Sequence, residues 1–251
     1  MDLQLAGKTA LITGASRGIG KAIALALAVE RCDVALVARG EEALREAERE
    51  VSALGVRAVA IVADVTSVAD VERMVAGTVS ALGRIDILVN NAGGSFPDDD
   101  EGWQNAFAAN IEAAVRATRA AVPHMRAQGG GSIVHVASIW GREAGGALPY
   151  NAMKAAMISH AKNSALTLAK DNIRVNSVAP GSVRHPGGSW DRRALADPEG
   201  MAKFVEEKIA LGRFGTAEEI ANVVAFLCSS KASWVTGACI NIDGGQTWSN
   251  I

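Results

Sequence analysis

Thr9, Ala10, Leu11, Ile12, Thr13, Gly14, Ala15, Ser16, Arg17, Gly18, Ile19, Gly20 runs from a short β-branched stretch through a glycine-rich turn into an alanine-rich helical stretch. Glycine lets the backbone turn sharply and approach a diphosphate closely. The helix start supplies unpaired N–H groups and the positive end of its dipole. A strand, such a turn and a helix together point to dinucleotide binding; a purely structural turn is the competing reading. The spacing departs from the usual dinucleotide fingerprint, with three residues between Gly14 and Gly18.

Outward from this stretch, short β-branched runs alternate with amphipathic ones along the whole chain. Such alternation encodes a parallel sheet with helices on both faces. Strands are predicted at 9–13, 33–38, 58–62, 85–90, 132–137, 173–179 and 238–242. Helices are predicted to begin near Gly18, Glu41, Ser67, Gly102, Leu148 and Thr216. Ser67 and Thr216 are N-caps in this reading, and Glu219, three residues after Thr216, completes a capping box. The fold expected is a doubly wound, Rossmann-type α/β sheet of seven strands, a single domain over 1–251. Two long loops are expected, at 93–101 and at 181–198, and a substrate loop at about 182–211.

The end of the second strand bears on the cofactor. A carboxylate there would accept hydrogen bonds from a ribose 2′-hydroxyl, but the chain reads Val37, Ala38, Arg39. With Arg17 in the glycine turn, two guanidiniums could grip a 2′-phosphate. NADP(H) is therefore expected over NAD(H), the alternative being that both arginines are merely solvated.

Tyr150, the only tyrosine, precedes Lys154 by one helical turn in a continuous helical pattern at 148–170. Side chains at that spacing share a face, about 5–6 Å apart at Cβ. A phenol titrates near pH 10, and an adjacent ammonium favours its ionised form, which would give a general acid/base for an alcohol or carbonyl oxygen. Alone, the pair could equally be a surface ornament.

With these motifs in place the chain resembles the short-chain dehydrogenase/reductase family, in its compact branch that includes 3-oxoacyl-carrier-protein reductases. The likeness runs from Gly7 to Gly245 and includes Asp64, Asn90, Asn91, Ala92, Gly93, Asn110, Ser138, Pro180 and Gly181 in order. It implies the following roles. Gly14, Ser16, Gly18, Ile19 and Gly20 cradle the cofactor phosphates. Asp64 and Val65 meet the adenine, and Asn91, Ala92 and Gly93 form the floor beneath the cofactor. Ser138 hydrogen-bonds the substrate oxygen, Tyr150 exchanges its proton, and Lys154 holds the nicotinamide ribose and depresses the tyrosine pKa. Asn110 anchors a water that links Lys154 to solvent, although it could be only a helix-kink residue and Ser138 only a strand-end cap. Pro180, Gly181 and Val183 border the nicotinamide. Where the family carries a threonine five residues beyond the proline, this chain has His185. The spacing from Ser138 to Tyr150 is also about one residue short, which implies a trimmed loop through Trp140, Gly145 and Gly146.

The resemblance implies an NADP(H)-dependent oxidoreductase for a small-molecule ketone or secondary alcohol, with a 3-oxoacyl thioester as one form. Two alternatives stay open: an idle dinucleotide-binding sensor or scaffold, and an epimerase or dehydratase on the same fold. Trp140, Trp190 and Phe204 could wall the substrate pocket or pack ordinarily. Apolar faces around 104–125 and 148–170 imply a homo-oligomer, in this family a tetramer.

Composition narrows the rest. A formal net charge of −2 gives no reason to expect nucleic acid or an anionic membrane as partner. Cys32, Cys228 and Cys239 show no metal-binding or disulfide spacing, so no metal site is expected and reduced thiols are. No segment reaches about 18 uncharged apolar residues, and neither a leader nor a membrane span is expected. The cytoplasm is the expected location.

Overall fold

A computed structural model describes residues 2–249; Met1, Asn250 and Ile251, the ends of the expected domain, lie outside them. The strands are β1 (Thr9–Thr13), β2 (Asp33–Ala38), β3 (Ala58–Val62), β4 (Ile87–Asn90), β5 (Gly131–Val136), β6 (Ile173–Pro180) and β7 (Cys239–Ile242). They form one seven-stranded sheet in the order β3-β2-β1-β4-β5-β6-β7, parallel throughout. The order reverses between β1 and β4. That switch point opens a crevice at the carboxyl ends of the strands, where ligands of such sheets bind.

Strand alternation sends side chains to two apolar layers. Ala10, Ile12, Val34, Leu36, Val89, Val134 and Val178 pack under α1 (Gly18–Val29) and α9 (Ala217–Cys228). Leu11, Ala35, Val37, Leu88, Ile133 and Val175 face α3 (Val68–Leu82), α5 (Ala113–Ala127) and α6 (Leu148–Leu168). The remaining long helix of the first half, α2 (Glu41–Ser52), buries Leu44, Ala47 and Val51. Burial on both faces explains why the central strands read as continuous apolar runs.

The predicted strands and helix starts agree with the structure to within about two residues, and the Thr216–Glu219 capping box is present. One helix, α4 (Asp100–Ala106), begins ahead of Gly102 because Asp99 caps it, its carboxylate accepting from Gly102 N at 2.7 Å. It continues into a π-helical turn, Phe107–Glu112. The second half of the expected loop at 181–198 is helical, and helix continues to Lys208, which corrects the reading of 182–211 as a loop. The segment holds α7 (Ser189–Ala196) and α8 (Pro198–Lys208). Asp197 caps α8 and Pro198 sits in its first turn, so a proline that looked like a loop marker is a helix start. No helix among the described residues is long and apolar enough to cross a membrane.

Candidate active site

The crevice is built from the segments that follow β1 to β6. After β1, Gly14 and Gly18 adopt φ of 66° and 55°, which side chains disfavour. A Cβ on Gly20 would fall 2.2 Å from the Gly14 carbonyl oxygen, so the turn closes only with glycine there. Thr13 ties it to the neighbouring strand: its hydroxyl donates to Val89 O and accepts from Asn91 N (3.0 Å) and Ala92 N (3.1 Å). The Asn91 amide donates to Thr13 O and Gly14 O, so this side chain clamps the loops after β1 and β4 together. Helix α1 receives no side-chain cap, unlike α3, α4, α8 and α9. Its leading N–H groups therefore remain available to an anion.

Ser16 and Ile19 lie in the same turn, half-buried, and Arg17 is exposed. Arg39 is exposed just beyond β2. Neither arginine has an ion-pair partner among the described residues. Beyond β3, one Asp64 oxygen accepts from Thr66 N and Oγ1, and Val65 follows half-buried.

Tyr150 stands in the first turn of α6, partly exposed, and Lys154 one turn on is 3% exposed. Lys154 Nζ donates to Val136 O at 2.9 Å, the last residue of β5, and lies 5.4 Å from the Tyr150 ring centroid. Ser138, two residues past β5, accepts from Trp140 N at 3.2 Å, and its hydroxyl lies beside the Tyr150 phenol. A Cβ on Gly93 would sit 2.5 Å from Asn110 Oδ1 and 3.4 Å from Lys154 Nζ, which brings Gly93, Asn110 and Lys154 to one point. Asn110 is fully buried in the π-turn. Its amide donates to Gly94 O and Ala106 O and accepts from Gly94 N. A π-turn at such a place is a recurrent mark of functional sites.

Burial pushes the Tyr150 phenol up from its ordinary value, opposed in part by the Ser138 hydrogen bond. Burial brings the Lys154 ammonium down to about 8. This corrects the expected depression of the phenol by Lys154. In the free chain the ammonium is turned toward Val136 O, and loss of water around the phenol sets the direction of its shift.

At the end of β6, buried Pro180 is followed by Gly181, whose N–H donates to Ile242 O. Val183 pairs in an isolated bridge with Gly215, through Arg184 N to Gly215 O and Gly215 N to Ser182 O. Those bonds leave the N–H and C=O of Val183 itself unpaired in the backbone network of the described residues. His185, left open by the sequence, turns inward against Gly18.

For the three aromatic residues left open as pocket wall or ordinary packing, packing contacts are present. Trp190 stacks on Phe204 with ring centroids 4.9 Å apart and lies 5.6 Å from Phe214. These rings form a small aromatic cluster between α7 and α8, with Phe214 beside it. Trp140 packs on Gly145 and Gly146 in the shortened loop. Among the described residues no cluster of His, Cys, Asp or Glu could hold a metal ion, and the three cysteines are free.

A doubly wound sheet with a glycine turn at its switch point, and a Ser, Tyr and Lys converging beside it, defines a Rossmann-type dinucleotide fold. A family model described as enoyl-(acyl carrier protein) reductase matches residues 14–247. The chain is 40% identical over 250 residues to a tropinone reductase homolog of Arabidopsis thaliana, covering 97% of this chain and 91% of that protein. It superimposes on L-sorbose reductase from Gluconobacter frateurii, solved with NADPH and L-sorbose, with TM-score 0.93 and 38% identity over 99% of this chain and 100% of that one. A 7α-hydroxysteroid dehydrogenase solved with NADH and 7-oxo glycochenodeoxycholic acid gives TM-score 0.91 and 32% identity, covering 99% and 97%. The chain belongs to the short-chain dehydrogenase/reductase family of oxidoreductases.

Proposed function

We propose that the protein is an NADP(H)-dependent oxidoreductase that interconverts a ketone and a secondary alcohol, with Tyr150 as general acid/base. The observation that carries this reading is the meeting of Ser138, Tyr150 and Lys154 beside Gly93, in the crevice that the glycine turn opens. The residues fit a dinucleotide: an uncapped α1, a turn that only glycine closes, and two unpaired arginines where a 2′-phosphate would come. Those arginines favour NADP(H) over NAD(H). One relative was solved with NADPH and another with NADH, so the preference rests on Arg17 and Arg39 themselves.

When bound, the nicotinamide supplies or accepts the hydride. The chain does the remaining work. Gly14, Ser16, Gly18, Ile19 and Gly20 hold the phosphates, Asp64 and Val65 the adenine, and Ala92, Gly93, Pro180, Gly181 and Val183 the rest. Ser138 donates to the substrate oxygen and steadies the charge that develops there. Tyr150 gives its proton to that oxygen in reduction and takes it back in oxidation. Lys154, fixed by Val136 O, places a positive charge behind the phenol. Asn110 acts by pinning Gly94, and with it Gly93, next to that lysine.

An idle binder would have no use for a buried ammonium held behind a phenol. An epimerase or dehydratase would return its cofactor unchanged. Incubating the protein with NADPH and a panel of ketones, sugar ketones and 3-oxoacyl thioesters is expected to show net NADPH consumption with at least one class. Absence of consumption across the panel would count against the reading.

The buried lysine has a stability consequence. Its folded-state value, about 8, lies below the 10.5 of a free lysine, so the unfolded chain binds the extra proton between those pH values. The destabilising contribution is full below about pH 8 and relieved as pH rises toward 10.5, a change on the order of 3 kcal/mol. Urea unfolding of the wild type against Lys154→Met should show the wild type gaining relative stability across that window. A pH-independent difference would contradict it.

Exposed Trp103, Phe107, Leu148 and Leu166 on α4, the π-turn and α6 support a homo-oligomer, in our reading a tetramer. A single-chain mass in sedimentation would refute this.

A further inference from the structure

His185 lies where the 182–211 segment leaves β6. A Cβ on Gly18 would come within 2.7 Å of both Cε1 and Nε2 of its ring, and one on Gly188 within 2.8 Å of the same atoms. The imidazole is therefore held between the first residue of α1 and Gly188, which precedes α7. Its Nδ1 stands 3.2 Å from Pro186 O. A carbonyl oxygen can only accept, so Nδ1 carries a proton and Nε2 belongs to the edge turned toward the glycine turn.

That edge faces the backbone which a dinucleotide pyrophosphate approaches most closely in such folds. The charges around it are few. Asp191 of α7 is engaged by Arg184 Nε at 2.9 Å and by Gly187 N at 3.0 Å, and Arg192 donates to Gly187 O. The glycine turn contributes Arg17, and the first turn of α1 has no acidic residue. None of these groups is an unpaired carboxylate that would compete for the ring.

We propose that His185 is a pyrophosphate-binding residue whose imidazole takes up a proton from solvent when the dinucleotide enters. The ring leaves its seat on Gly18 and Nε2, now protonated, donates to a pyrophosphate oxygen from the side of the 182–211 segment. A neutral ring would present a lone pair to that oxygen, so binding favours the imidazolium. This rests on the dinucleotide reading above.

Linkage gives the sign. A negative ligand raises the affinity of the ring for its proton, so the extra affinity is full at pH values where the free imidazole is already charged. It is lost as pH rises through the range in which the bound ring titrates. Titration calorimetry with NADPH, in buffers of different ionisation enthalpy, reads proton uptake and affinity together for the wild type, His185→Thr and His185→Gln. The 2′-phosphate titrates in all three and cancels. The wild type is expected to take up more protons near neutrality than either variant. Its affinity advantage over them should shrink as pH rises, while the two variants keep parallel profiles. Equal proton uptake and parallel pH profiles would overturn the proposal. Wild-type protein that binds no NADPH would instead remove the dinucleotide reading, and this inference with it. Should the variants fail to fold, NMR of the wild-type imidazoles with and without NADPH decides: the proposal requires one of the four histidines to titrate at higher pH in the complex, and unchanged titration overturns it.

Discussion

Tyr150→Phe is expected to lower turnover by about 10²–10⁴-fold, the range that a positioned proton donor contributes, while NADPH affinity changes by no more than about twofold. The substitution keeps the ring beside Lys154 and removes only the oxygen next to Ser138. Helix α6 buries Pro149, Lys154, Met157, Ala161, Ala165 and Leu168 and should be unaffected, so the melting temperature is expected to hold. Steady-state rates with a responsive ketone, with NADPH binding followed separately, check this. Turnover within about threefold of the wild type would remove Tyr150 from the chemistry. Equal losses of binding and turnover would make it a cofactor ligand only.

Arg17→Ser combined with Arg39→Asp is expected to reverse the cofactor preference. Each charge-assisted hydrogen bond to a phosphate is worth about 1.5–3 kcal/mol. Losing two would weaken NADPH binding by roughly 10²–10⁴-fold, at about 1.4 kcal/mol per factor of ten. The carboxylate placed after Ala38 would meet a free 2′-hydroxyl, so NADH binding should hold or improve. Both side chains are exposed and unpaired among the described residues, so the fold is expected to tolerate both changes. Comparing dissociation constants of the two cofactors for wild type and variant tests it, and an unchanged ratio would place both arginines outside the site.

Much of this architecture could be read from residue order because it is written in local rules. β-branched runs gave the strands, Ser67 and Thr216 gave helix starts through their own hydroxyls, and the glycine turn required glycines for steric reasons visible at Gly20. What escaped was set by partners distant in sequence. Thr13 ties the end of β1 to the end of β4 and the loop after it through one hydroxyl, and nothing near it announces that. The helical spacing puts Lys154 beside Tyr150, yet its acceptor is Val136 O, 18 residues away on another element. Burial of the phenol itself then moves it upward. The π-turn at Phe107–Glu112 follows no sequence period. Helices α7 and α8 were hidden because their glycines and Pro198 resemble loop punctuation, although Asp197 followed by Pro198 is a helix-start signal. Trp190 and Phe204 could be named as apolar anchors, but only the fold shows them packed on each other and on Phe214.

The proposed function turns on transfer of a hydride from a nicotinamide to a carbonyl carbon in the crevice beside Tyr150. The direct measurement is reduction of a responsive ketone with NADPH carrying deuterium at the transferable position of its nicotinamide, the alcohol being analysed by mass spectrometry. Deuterium on the carbinol carbon, one atom for each NADPH consumed, is the predicted result. Product free of deuterium, or product formed with NADPH unconsumed, would contradict it.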